Sequence, residues 1–150
     1  MANATVFRLI DGNFERMGKM TYNALDQYKQ NTVFTATPEE LTLMLYEGCI
    51  KFLNIAKYNI EQGQVEKAHN ALIRAQDIII ELDSTLNMEY EISNDLRNLY
   101  NFVKSKLIDA NINKKVEPIE EAMEIVIGLR DTWKEAMQEV KKMVYKNRKV

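Results

Sequence analysis

Glu66-x-x-His69 sets a carboxylate and an imidazole three residues apart, the half-motif with which helical bundles hold paired iron ions. That chemistry needs a second such pair and two further glutamates. His69 is the only histidine of the chain, so the set cannot be completed. It also falls about 100° from the neighbouring Ala68 on a helix, which predicts a surface position. Cys49 is the only cysteine; it excludes an intrachain disulfide and fits a reducing compartment. Its position between two apolar stripes predicts a buried, inert thiol. No glycine loop that could cradle phosphate, no cysteine–histidine nucleophile pair and no zinc-ligand cluster occurs. Asp and Glu fall on polar strips as solvated charge. These residues argue against an enzyme, and no cofactor or metal is expected.

The elements that carry these residues are helices. Pro occurs only at 38 and 118 and Gly is scarce, which favours long helices with short joints. Thr37, Pro38 and Glu40 form an N-terminal signature of cap, first-turn proline and capping-box acid. Gly63 suits the residue just past the helix end, where the backbone turns left-handed. A second helix is expected over about 64–87, with Val65, Ala68, Leu72, Ala75, Ile79, Leu82 and Leu86 on its seam. A polar break at 87–94 precedes a third, with Leu96, Leu99, Val103, Leu107 and Ala110 inward. After a joint at 111–115, a last helix opens near Pro118 with the seam Ile119, Ala122, Val126, Leu129, Trp133, Ala136, Val140 and Met143. Nothing reads as strand. The expected fold is all-α, an antiparallel up-down four-helix bundle, with a short extra N-terminal helix or capping segment over about 23–31.

The 150 residues are 46% apolar and 28% charged, with a net charge of −2, which fits one soluble domain over 21–150. The near-neutral balance offers no footprint for nucleic acid. The basic cluster of Lys141, Lys142, Lys146, Arg148 and Lys149 suits a solvated helix C-terminus. No run approaches the roughly 20 apolar residues of a membrane span. Residues 1–20 lack the apolar centre of a signal peptide and are expected to form a disordered extension; Met20 is a candidate natural start.

The first long helix is apolar on two sides. Leu41, Leu45, Gly48, Phe52 and Ile55 lie within about 40° of one line, read as the core stripe. Leu43, Tyr46, Ile50, Leu53 and Ile60 fall on the far side, and Glu40, Glu47, Lys51, Asn54, Tyr58 and Glu61 occupy a polar strip. Gly48 would let a neighbouring helix approach closely, a packing role. Surplus apolar residues flank the second helix seam (Ile73, Ile78, Ile80) and the third (Tyr100, Phe102). Together with the far face they suggest an apolar groove for a partner. The N-terminal segment could instead cover part of that face through Leu25, Tyr28 and Val33. A homodimer burying the same face is an alternative, as is a metalloprotein bundle, which the single histidine weakens.

The segment Tyr28-x-x-Asn31-x-Val33-x-Thr35-Ala36-Thr37-Pro38-x-x-Leu41-x-x-Met44-Leu45-Tyr46-x-Gly48 resembles the signature of the flagellin export chaperone family, FliS. So do Ala75-Gln76-x-Ile78-Ile79-x-x-Leu82, Ala110-Asn111 and Leu129-Arg130-Asp131-x-Trp133-Lys134. The resemblance spans about residues 22–145 and leaves the first 20 as an addition. It implies a cytoplasmic chaperone that binds the disordered C-terminal segment of flagellin, prevents early polymerisation and assists delivery to the type III export apparatus. The expected groove is Leu43, Tyr46, Ile50, Leu53, Ile73, Ile78 and Ile80. Leu25, Tyr28 and Val33 are the expected N-terminal cap or contact with an export gate component. The free protein is expected to be a monomer or weak dimer, with no membrane insertion.

Overall fold

The computed structural model describes residues 2–11 and 24–148. They form α1 (Ala2–Asp11), α2 (Ala24–Thr35), α3 (Pro38–Glu61), α4 (Val65–Ser84), α5 (Ile92–Asn113) and α6 (Glu117–Arg148). No strand occurs among the described residues. The all-α antiparallel bundle expected from the sequence is the observed architecture, built from α3 to α6, with α1 and α2 added at one end. Each bundle helix packs on its chain neighbour, and α6 closes the ring against α3.

The local signals act where the sequence places them. Thr37 Oγ1 accepts a hydrogen bond from the Glu40 amide at 3.2 Å, and Pro38 occupies the first turn. Gly63 ends α3 with φ +71°, a conformation that costs glycine nothing. Lys114 takes the corresponding left-handed position after α5, at φ 49°. Its ammonium donates to the Asn111 carbonyl at 2.6 Å.

Ion pairs and side-chain hydrogen bonds fix the antiparallel order. Asp83 of α4 pairs with Arg97 of α5 at 3.0 Å, and His69 meets Asn111 at the other end of the same pair. Lys106 of α5 pairs with Glu121 of α6 at 2.7 Å. Lys57 of α3 pairs with Glu120 of α6 at 3.3 Å, and the Trp133 indole donates to the Glu39 carbonyl at 3.0 Å. These surface contacts set register more than stability. The core supplies the latter: Leu53, Leu72, Ile79, Leu82, Val103, Leu107, Ile119 and Val126 are fully enclosed.

Two expectations differ from the structure. Residues 1–20 were expected to be disordered, yet Ala2–Asp11 form a helix with Val6 buried and Leu9 and Ile10 packed against the core; residues 12–20 lie outside the described residues. The α6 seam was expected to stay inside through Met143. It is buried to Val126 and half-buried to Trp133, whereas Val140 and Met143 are exposed. At 32 residues α6 outruns its 24-residue partner α3, so its end extends past the bundle core.

Candidate functional site

The element that makes the site is α3, whose two apolar stripes are both largely buried, Leu41, Leu45, Gly48 and Phe52 on one and Tyr46 and Leu53 on the other. Tyr46, Cys49, Leu53 and Ala56 are buried at 3% exposure or less and point to the bundle interior. There the Tyr46 and Tyr100 hydroxyls meet at 2.6 Å. Burial pushes the Tyr100 hydroxyl up, aided by the neighbouring Tyr46; burial also raises Tyr46, with the Tyr100 hydrogen bond opposing it. Burial pushes the Cys49 thiol up to about 12, so the expected inert thiol is observed.

The second stripe of α3, carrying Gly48, Phe52 and Ile55, faces a groove shared with α4. α1 lies in the first half of it. The Asn3 amide donates to the Phe34 carbonyl at 2.7 Å, and seven residues later Lys51 Nζ lies 3.5 Å from the Ile10 carbonyl. α1 therefore runs along α3 in the same direction, touching α2, α3 and α4. Gly48 permits this approach. A Cβ there would sit 3.2 Å from Ile10 Cγ1 and 3.5 Å from Ile78 Cδ1. The sequence argument for Gly48 as a close-approach residue holds; the helix that approaches is one the sequence argument left without structure.

The seven residues expected to line one groove are spread over four surfaces. Tyr46 and Leu53 belong to the core. Ile78 is buried beside Gly48 in the α3/α4 groove, close to α1. Leu43 and Ile50 are half-buried on the flank of α3 that carries Lys57 toward α6. Ile73 and Ile80 are exposed at 38% and 51%, on the flank of α4 that carries His69 and Asp83 toward α5. The correction has a simple cause. Periodicity shows that α3 has two apolar faces but not that both are covered: the expected core stripe is buried at Leu41, Leu45, Gly48 and Phe52, and the expected outward one is buried at Tyr46 and Leu53 as well. Val33 is buried at 5%. Leu25 and Tyr28 lie on the α2 backbone, and their side chains are outside the described residues.

Three cations stand at the groove, of which the sequence argument placed only Lys51, on a polar strip. Lys51 and Arg74 both stand over the Phe52 ring, at 5.2 and 5.4 Å from its centroid, and Lys67 lines the groove two helical turns before Arg74. The i, i+7 spacing of Lys67 and Arg74 was the available signal. No cluster of three or more potential metal ligands occurs among the described residues. No helix there is long and apolar enough to cross a membrane.

A groove that holds a helix, on a bundle with no reactive constellation, is an arrangement for binding. The profile of the flagellar protein FliS family matches residues 21–140. The chain belongs to the FliS family. It is 42% identical over 120 residues to the flagellar secretion chaperone FliS of Bacillus subtilis, covering 80% of this chain and 90% of that one. It is 33% identical over 118 residues to the FliS of Campylobacter jejuni, covering 77% and 90%. A crystal structure of a bacterial flagellar chaperone shares the fold, with TM-score 0.64 and 21% identity over 77% of this chain and 96% of that one. FliS is a chaperone family and not an enzyme family. The matched residues begin at 21, so α1, which fills the groove, stands outside them.

Proposed function

We propose that this FliS-family chain is a cytoplasmic export chaperone that binds the C-terminal segment of flagellin, holds it unpolymerised and brings it to the flagellar export apparatus. One observation carries the reading: the α3/α4 groove already accommodates an apolar helix, α1, from outside the family-matched segment. A helix-forming cargo segment would replace α1 there. Gly48, Phe52, Ile55 and Ile78 line the groove in this reading. Leu43 and Ile50 on one flank and Ile73 and Ile80 on the other are secondary contacts for a segment long enough to wrap the bundle. Such length is needed, because apolar contact at roughly 25 cal/mol per Å² must offset the ordering of a disordered ligand. α2, bearing Leu25, Tyr28 and Val33, is the proposed contact for an export gate component. The free chain is proposed to be a monomer or weak dimer.

Calorimetric titration of the full chain with the last roughly 40 residues of flagellin from the same organism tests this, the length being that of a coupled-folding contact. Saturable one-to-one binding with a negative heat-capacity change is expected. Val6→Asp places a charge in the buried face of α1 and should raise the affinity about tenfold by removing the resident helix. No binding by either protein would sink the cargo reading; equal affinities would sink the competition.

A further inference from the structure

The groove is longer than the helix that lies in it. α1 reaches only to the level of Lys51, whose ammonium approaches the Ile10 carbonyl. Beyond that point the groove opens into a cavity of about 250 Å³ with Phe52, Ile55 and Ala71 as apolar lining. Its polar lining is Asn59, Asn70, Lys67 and Arg74. Among the described residues no carboxylate lines it. Neither Lys67 nor Arg74 forms an ion pair among the described residues, although acidic residues are as frequent as basic ones in this chain. Lys67 and Arg74 share one cavity, and two cations so placed repel one another unless an anion joins them.

We propose that this cavity is a carboxylate pocket that receives the free C-terminus of the bound segment, its chain-terminal carboxylate seated between Lys67 and Arg74. The inference rests on the cargo reading above and adds direction to it. A helix end presents unpaired carbonyls and the negative pole of its dipole. Lys51 already serves the last turn of α1 in this way. A segment laid in the same direction as α1 brings its own last turn and terminal carboxylate to Lys67 and Arg74. Laid in reverse, it would aim its positive pole at three cations. The Phe52 and Ala71 lining accepts the last apolar side chain, and the exposed Asn70 amide stands at hand for its backbone. Capture of a terminal carboxylate in a partly apolar site is a recurrent mode of peptide recognition, and guanidinium and ammonium groups suit it.

The test uses the full chain and the flagellin C-terminal peptide, made once with a free carboxylate and once with a C-terminal amide. Wild-type protein should bind the amide at least fivefold more weakly, and the difference should shrink in 0.5 M salt, as screening requires. In Lys67→Gln/Arg74→Gln the two peptides should bind alike, at the affinity the wild type has for the amide. Lys67→Arg/Arg74→Lys should keep the difference. A nitroxide near the last peptide residue should broaden the Ala71 amide signal, and one on the first residue should not. Thermal unfolding midpoints control for folding. Equal wild-type affinity for both peptides, or broadening from the first residue, would overturn the pocket while leaving the cargo reading intact. Loss of binding in the Gln pair with no amide effect would assign the cations to a side-chain carboxylate and also overturn it. No wild-type binding to either peptide would overturn the cargo reading, and the pocket with it.

Discussion

Tyr46 and Tyr100 share one hydrogen bond, and both side chains are buried. Tyr100→Phe leaves the Tyr46 hydroxyl buried without a partner and should cost about 1–3 kcal/mol. Tyr46→Phe/Tyr100→Phe removes both groups and should cost less than the sum of the singles, a coupling that urea denaturation of the four proteins will measure. The same burial gives the fold an alkaline limit. Tyr46, Tyr100 and Cys49 all have folded pKa values raised above their ordinary ones. The unfolded chain therefore loses these protons first, and it binds fewer protons than the native state as pH rises. Stability should be full below about pH 8.5 and fall steadily above it, as each group passes its unfolded pKa near 9 to 10. Urea midpoints between pH 7 and 11 will show the slope, and Cys49→Ala should remove its earliest part.

At the scale of the element, α3 shows what a sequence can and cannot say. Its start at Thr37-Pro38, its end before Gly63 and its two apolar faces were all legible, because caps and periodicity are local. How much of each face is covered is decided by the partners on either side, and here both faces find one. Residues such as Tyr46 and Leu53 were therefore expected in a groove and are found in the core. α1 was illegible for a related reason: a ten-residue helix is marginal alone, and only the groove makes it worth forming. Gly48 joins the two cases. Gly48→Ala gains helix propensity of about 0.5–1 kcal/mol but presses on Ile10 at 3.2 Å. The bundle should be as stable or slightly more so by denaturation, while amide exchange in residues 3–11 should accelerate. Unchanged exchange there would mean that α1 adjusts without loosening.

For the whole molecule, the unequal helix lengths divide α6 into a part that holds the bundle together and a part that projects. Residues up to Trp133 contact α3 and α5; among the described residues from Lys134 onward only Met137 is less than exposed. Ending the chain after residue 138 should shift the thermal midpoint by no more than roughly 2 °C, since little buried area is lost. Trp133→Phe should cost about 1 kcal/mol for the lost hydrogen bond to Glu39. The position of this indole has an optical consequence. Trp133 is the only tryptophan, and it sits on the seam between α3 and α6, on the other side of α3 from the groove with α4. Its emission should therefore report opening of that seam with a red shift and stay silent when a segment exchanges with α1, so one intrinsic fluorophore separates unfolding from occupancy without any label.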